Sequence, residues 1–210
     1  MGRLHRTSGP RRSADVRTCC VPRQTERARR GVTRYGPLES LSREHETDRF
    51  DYGSEAQTTW LRRHALQATQ SDTARVYVVC RRESTEVVGY YALAAGSVAH
   101  DAVPPRILRG LGRYPVPVIL LTRLGVDMRE QGRGLGSALV RDAFLQTAAI
   151  AERTGVRALL IHAETPQAAA FYQGIDRDFE ASPTDPNHLL LLMKDLRAAI
   201  SKAGDRASHG

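Results

Sequence analysis

Apolar residues along the chain gather into short β-rich runs and longer stretches of helical period, separated by polar breaks. Val76 to Cys80 and Val87 to Leu93 are β-type runs divided by the polar stretch Arg81 to Glu86, which predicts an antiparallel hairpin. Order is expected to begin at Pro37-Leu38. Ser54 stands where an N-cap would precede a helix from Glu55 to about Ala68, with Trp60, Leu61 and His64 near one face. Val118 to Leu121 is continuously apolar and leads to Val126, as in a strand covered on both faces. From Leu135 to about Thr154 the period is helical. Leu139, Val140, Ala143, Phe144, Ile150 and Ala151 share one side, and Arg141, Asp142, Gln146, Glu152 and Arg153 the other. Gly155 ends this helix, and Val156 to Ala163 reads as the next strand, giving a βαβ unit and a parallel pair. A shorter helix after Thr165-Pro166 carries Phe171 and Tyr172, and Leu189 to Met193 supplies a last strand. The pattern defines one mixed α/β domain, residues 35–197, with a polar tail at 198–210 expected to fray.

Chemistry concentrates where the buried strand meets the long helix. Val126-Asp127-Met128-Arg129-Glu130-Gln131-Gly132-Arg133-Gly134-Leu135-Gly136-Ser137 reads as strand end, glycine-rich turn and helix start. Unpaired amides at such a helix start can cradle a diphosphate, and the glycines let it approach. A dinucleotide fingerprint would need this turn on an early strand and an acid at the end of the next strand; Glu152 has the distance but lies inside the helix. The Gly-Lys-Ser/Thr of a phosphate loop is absent.

Charge changes the picture less than its total of +8 suggests. Residues 1–34 hold ten arginines against Asp15 and Glu26, and the remaining basic and acidic groups cancel. The basic stretch, without large apolar residues or periodicity, reads as a disordered extension: an arm for RNA or DNA, a dispensable tail, or sequence upstream of a start near Val32. Cys19, Cys20 and Cys80 are odd in number and fit a reducing compartment, and no apolar run reaches membrane-spanning length, so a cytoplasmic, membrane-free protein is expected. His162 and Glu164 have no further donors at ligand spacing, so no metal is expected. Within the neutral body, Ala102 to Val126 lacks any acid but holds Arg106, Arg109, Arg113 and Arg123. Pro104, Pro105, Pro115 and Pro117 make its first part an irregular loop, with a short helix near Ile107 to Leu111.

From Val118 to Leu192 the order of elements resembles the GNAT family of N-acetyltransferases, whose Gln/Arg-x-x-Gly-x-Gly/Ala signature stands here as Gln131-Gly132-Arg133-Gly134-Leu135-Gly136. The resemblance implies acetyl-CoA as co-substrate. By it, the amides from Gly132 to Ser137 hold the pyrophosphate, Phe171 adjoins the cofactor, and Val126 and Met128 bond the pantetheine arm through their backbones where two strands splay. It also implies that Tyr172 protonates the departing thiolate, which suits a phenol of comparable basicity. No base for the acceptor amine is fixed: Glu164, His162, His100 and Asp127 remain candidates. Direct transfer is expected, since no cysteine adjoins the motif.

A narrower resemblance covers about residues 37–196. Tyr90 to Val98, the Arg/Pro loop and Pro115 to Asp127 are similar to the acetyltransferase toxins of type II toxin–antitoxin systems. That family implies acetylation of the α-amine of aminoacyl-tRNA, arrest of translation, a homodimer, and a ribbon-helix-helix antitoxin as partner. It makes Arg106, Arg109, Arg113 and Arg123 candidate RNA contacts. Acetylation of a small amine or a protein amino group is the alternative activity; a non-catalytic acyl-CoA-binding co-repressor is the alternative class. One departure stands out: Gln173 to Asp178 lengthens the turn before Phe179.

Overall fold

Among the described residues, alternating strands build one mixed sheet in the order β1-β2-β3-β4-β5-β7-β6. The strands are β1 (Tyr35–Ser40), β2 (Arg75–Arg81), β3 (Val87–Val98), β4 (Val116–Val126), β5 (Ala158–His162), β6 (Glu180–Ala181) and β7 (His188–Leu192). The structure is a computed structural model and describes residues 34–208. The extension expected at residues 1–34 therefore lies outside the described residues, apart from Arg34. Order starts before the expected Pro37-Leu38, because Tyr35 already pairs with Arg81. The β2–β3 hairpin is antiparallel as expected, and β4 runs parallel to β5 through the crossover helix α4 (Leu135–Ala151).

Period-two alternation sorts the strand residues onto two faces. Leu93, Ile119, Leu121, Leu159, Ile161, Leu189 and Leu191 face the layer formed by α4, α5 (Pro166–Ile175) and α6 (Met193–Ser208). The opposite face carries two smaller clusters. Val76, Val78, Tyr90 and Ala92 pack with Phe50, Leu61 and Ala65, while Val118, Leu160 and Leu190 pack with Val103 and Ile107. Tyr90, Tyr91 and Phe50 are fully buried; burial of such a side chain contributes about 1.5–3 kcal/mol.

One irregularity positions everything that follows. The β3–β4 register slips between Leu93↔Leu121 and Ala92↔Arg123, so Thr122 is an extra residue. A bulge bends its strand and shifts the alternation by one. Leu124 and Val126 consequently join Leu121 in the α4-side core, and Arg123 turns to the other face over Trp60. The parallel β4–β5 pairing stops at Leu121↔Ile161, so β4 continues to Val126 paired with β3 only and a gap opens between β4 and β5.

The first helical segment departs from its expected face. It runs as α1 (Glu55–Thr59), a π-helical turn (Trp60–His64) and α2 (Ala65–Gln70), and Ser54 makes no side-chain cap. The wider π winding advances each residue by a smaller angle, so His64 is exposed while Leu61 and Ala65 point inward. The short helix of the Arg/Pro loop is α3 (Pro105–Leu108). The C-terminal end is also corrected: instead of fraying at Ala198, α6 continues to Ser208, with Ala199 and Ile200 packed against the core. No described helix is long and apolar enough to cross a membrane.

Candidate active site

The glycine-rich turn is held from below by a buried carboxylate. Asp127, fully buried, accepts from the Asp51 amide at 3.0 Å, the Arg129 amide at 2.9 Å and the Arg129 guanidinium at 2.8 Å through both Nε and Nη2. Burial alone pushes its pKa up, but these donors outweigh it and hold the carboxyl below its usual range. An anion so fully engaged is an anchor, which removes Asp127 from the candidate bases. The Gln131 amide donates to the carbonyls of Val126 at 3.0 Å and Tyr52 at 3.2 Å, closing the turn onto the strand that precedes it.

Gly132 and Gly134 adopt φ of +72° and +82°, the left-handed region open to glycine. Gly134 occupies the N-cap position of α4, so the amides of Leu135, Gly136 and Ser137 begin the helix without intrahelical acceptors. The dipole and these donors can hold a diphosphate. A Cβ on Gly136 would meet Phe171 Cζ at 3.3 Å, so the half-exposed Phe171 ring overhangs this helix start. Arg133 lies nearby, its guanidinium drawn to Glu130 at 3.2 Å. Glu130, buried, also accepts from Tyr35 at 2.9 Å and pairs with Arg81 at 3.0 Å and Arg34 at 3.3 Å, linking the turn to the β1–β2 edge.

Beside the turn, the strand gap exposes backbone. The Asp127 amide donates to the Val88 carbonyl, and antiparallel alternation then turns the peptide groups of Leu124 and Val126 away from β3, toward the space β5 has left, the Val126 carbonyl already accepting from Gln131. The Met128 amide, expected to face a pantetheine arm, instead donates to Asp51 at 2.7 Å. The peptide group of Leu124 faces the gap beside that of Val126. Leu124 carries no sequence signal, because only the end of the β4–β5 pairing at Leu121 sets how much of β4 faces the gap.

Tyr172 lies on α5 against this gap, 8% exposed, with Phe171 edge-on at 5.3 Å and Phe179 at 6.5 Å. Among the described residues nothing hydrogen-bonds its hydroxyl. Burial, reinforced by Tyr52 and Glu164, pushes its pKa well above the ordinary phenol value. The phenol thus stays protonated and available as a donor. The longer turn after it leaves the aromatic wall in place: Asp176 accepts from the Asp178 amide at 2.8 Å, and Phe179 returns to the core.

Across the gap, on the opposite face, Glu164 accepts from the Gln57 amide at 2.6 Å and pairs with Arg123 at 3.4 Å. Gln57 in turn accepts from Tyr90 at 2.9 Å, and the Arg123 guanidinium stands 5.8 Å from the centre of the Trp60 ring. Gln57 and Tyr52, like Leu124, were not singled out by motif. His162 stacks on His188 at 3.9 Å; burial and that neighbour lower its pKa, against a raising effect of Asp185, and leave it neutral at pH 7. His100 follows β3 at the other end of the sheet, the Val98–Val116 end. Ten residues of β4 separate that end from Val126, about 33 Å of strand.

The four candidate arginines do not form one surface. Arg123 is at the gap. Arg106 is tied to Glu180 at 2.8 Å and Asp195 at 2.5 Å, which removes it as a free phosphate contact. Arg109 and Arg113 are exposed at the far end with His100. One cluster among the described residues, Glu39, His45 and Cys80, has donor atoms within 4.8 Å of one another. Ser42 N–H donates to His45 Nδ1 at 2.9 Å, so Nε2 carries the proton toward Glu39 at 3.1 Å and has no lone pair for a metal.

A parallel strand pair opened by a bulge, with a glycine-turned helix start on one strand and a buried phenol beside the other, defines the class of acyl-CoA-dependent N-acyltransferases. The chain belongs to the acetyltransferase (GNAT) family, whose family model matches residues 38–175. It is 48% identical over 166 residues to the tRNA-acetylating toxin of Mycobacterium tuberculosis (strain ATCC 25618 / H37Rv), covering 79% of this chain and 97% of that protein. The solved structure of AtaT complexed with acetyl-methionyl-tRNAfMet is similar at 25% identity and TM-score 0.71, covering 77% of this chain and 97% of that one. AtaTR bound with AcCoA is similar at 26% identity and TM-score 0.66, covering 77% and 96%.

Proposed function

We propose that this protein transfers acetyl from acetyl-CoA to the α-amino group of aminoacyl-tRNA, and so acts as a translation-blocking toxin. The observation that carries the reading is the buried, protonated Tyr172 at the mouth of a gap whose other side presents Glu164 and Arg123. Similarity to a tRNA-acetylating toxin over nearly that protein's whole length supports the acceptor.

In this reading the amides of Gly132 to Ser137 hold the pyrophosphate, Arg133 and the overhanging Phe171 border it, and Leu124 and Val126 pair with the pantetheine arm. Acetyl-CoA supplies an activated acyl group. As the amine nitrogen bonds to the acetyl carbon, the carbon–sulfur bond breaks, Tyr172 gives its proton to sulfur, and the amine proton passes to Glu164 directly or through water. Phenol and thiolate share one apolar setting, which raises the basicity of both, so burial does not prevent the transfer. Arg123, between Glu164 and Trp60, faces the acceptor and offers a charge to its phosphates.

Incubating the purified protein with labelled acetyl-CoA and total charged tRNA, followed by mass analysis of the aminoacyl groups, tests the proposal. Label on α-amines of aminoacyl-tRNA is expected. Label confined to small amines or protein lysines would overturn the acceptor, and no transfer at all would leave the co-repressor class standing.

A further inference from the structure

The end of the sheet farthest from the gap carries a basic hollow of about 460 Å3, lined by Arg106, Arg109, Arg157, Lys194 and Arg197 around a floor of Val156, Leu192 and Met193. None of Arg157, Lys194 and Arg197 belongs to the motif or to the acid-free run. Arg157 donates to the carbonyls of Ile107 at 2.8 Å and Arg109 at 2.9 Å; these fix its guanidinium without neutralising it. Among the described residues, Arg109, Lys194 and Arg197 have no carboxylate at ion-pair distance, and all three are exposed. The acids in reach, Glu180, Asp195 and the more distant Asp178, are directed at Arg106. The hollow therefore keeps an excess of fixed positive charge over a rigid floor.

Its position decides what it can serve. The Arg157 amide bonds to the Pro117 carbonyl and Leu192 pairs with Ala158, which puts the hollow at the start of β4, about 30 Å of strand from Val126. A small acceptor amine cannot span that distance. A nucleic acid whose 3′ end enters the gap can, and its phosphates match guanidinium and ammonium groups.

We infer that this hollow is a second, remote phosphate-binding site, where Arg109, Lys194 and Arg197 hold the backbone of the RNA whose charged end reacts at the gap. The inference rests on the aminoacyl-tRNA reading and deepens it. Contacts of this kind supply affinity and register without reading bases.

The test compares the wild-type chain with the triple variant Arg109→Ala, Lys194→Ala, Arg197→Ala on two acceptors, aminoacyl-tRNA and a trinucleotide bearing the same aminoacyl ester. For tRNA, KM should rise at least about tenfold, and the slope of log KM against log salt should flatten by about two to three units, the share of three phosphate contacts. For the trinucleotide, KM and kcat should be unchanged, which also shows that the variant is folded. Equal losses on both acceptors, or no loss on either, would overturn the remote site. Binding of uncharged tRNA, measured on both proteins, separates the two ideas: a loss confined to the variant supports the hollow even if acetyl transfer to tRNA is never observed. Unimpaired tRNA binding with lost binding of an acidic peptide would reassign the hollow to a protein partner.

Discussion

Gln57 holds Glu164 across 2.6 Å, joining the first helical segment to the end of β5 directly over the strand gap. Because Gln57 also accepts from the buried Tyr90 hydroxyl, its amide is fixed in one orientation and must donate to Glu164. Glu164→Gln should lower kcat about 100-fold and leave KM for acetyl-CoA unchanged. Gln57→Ala should act in the same direction but more weakly, since it releases the carboxylate without removing it. Steady-state kinetics with aminoacyl-tRNA reads both, and an undiminished kcat in Glu164→Gln would exclude Glu164 as the proton acceptor.

Tyr172→Phe should reduce kcat by about 10²–10⁴-fold while acetyl-CoA binding, followed by calorimetry, stays nearly the same. The hydroxyl makes no hydrogen bond among the described residues, so the variant should keep wild-type stability. Turnover equal to wild type would remove Tyr172 from the chemistry.

The two ends of the glycine turn should respond differently to a methyl group. Gly134 has φ of +82° and open space around a Cβ, so Gly134→Ala meets only backbone strain, about 1–2 kcal/mol, and should raise KM for acetyl-CoA roughly tenfold. Gly136→Ala meets the edge of Phe171 at 3.3 Å and should displace that ring, raising KM with no cost in folding. Urea denaturation of the two variants distinguishes them: Gly134→Ala loses stability and Gly136→Ala keeps it.

Stability should fall at both pH extremes through identifiable groups. Burial pushes the Cys80 thiol from 9.0 up to about 11, so the unfolded chain releases this proton first and stability declines as pH rises from about 9 toward 11. Tyr90, Tyr91 and Tyr172, all raised by burial, extend the decline above pH 10. Asp127 works in the opposite sense: its pKa is lowered in the fold, so the unfolded chain takes up the proton first as pH drops through 3.8, and stability is lost there. Urea midpoints from pH 3 to 11 should trace this dome. Cys80→Ala should flatten its alkaline side, and an unchanged slope would show that Cys80 does not contribute.

The pattern of apolar residues identified the β2–β3 hairpin, the parallel β4–β5 pair and α4 because each is a local period with clear breaks. The turn at Gln131 to Gly136 and the Phe171-Tyr172 pair were legible for the same reason, being contiguous in the chain. What was not legible arises from pairing across distance. The loop at Asp51 and Tyr52 closes on Met128 and Gln131 through backbone groups that carry no sequence signal. Met128 lies beyond the end of β4 with its amide bound to Asp51, Leu124 faces the gap because pairing with β5 ends at Leu121, and the π turn moved His64 outward. Arg106 looked like a free charge only because Glu180 and Asp195 lie far along the chain. The hydrophobic face of α6 was hidden by its polar composition, with Ala199 and Ile200 too sparse to mark a helix.

The bulge at Thr122 has one more effect. It places the peptide groups of Leu124 and Val126 on the edge of the gap and sends Arg123 to one face of the sheet, opposite the face on which α4 and the Phe171 ring lie. In the proposed reading, donor and acceptor therefore reach the gap from opposite faces of the sheet. On that reading, a molecule seated over Trp60 and Arg123 blocks the acceptor's side alone and leaves the acetyl donor's side open.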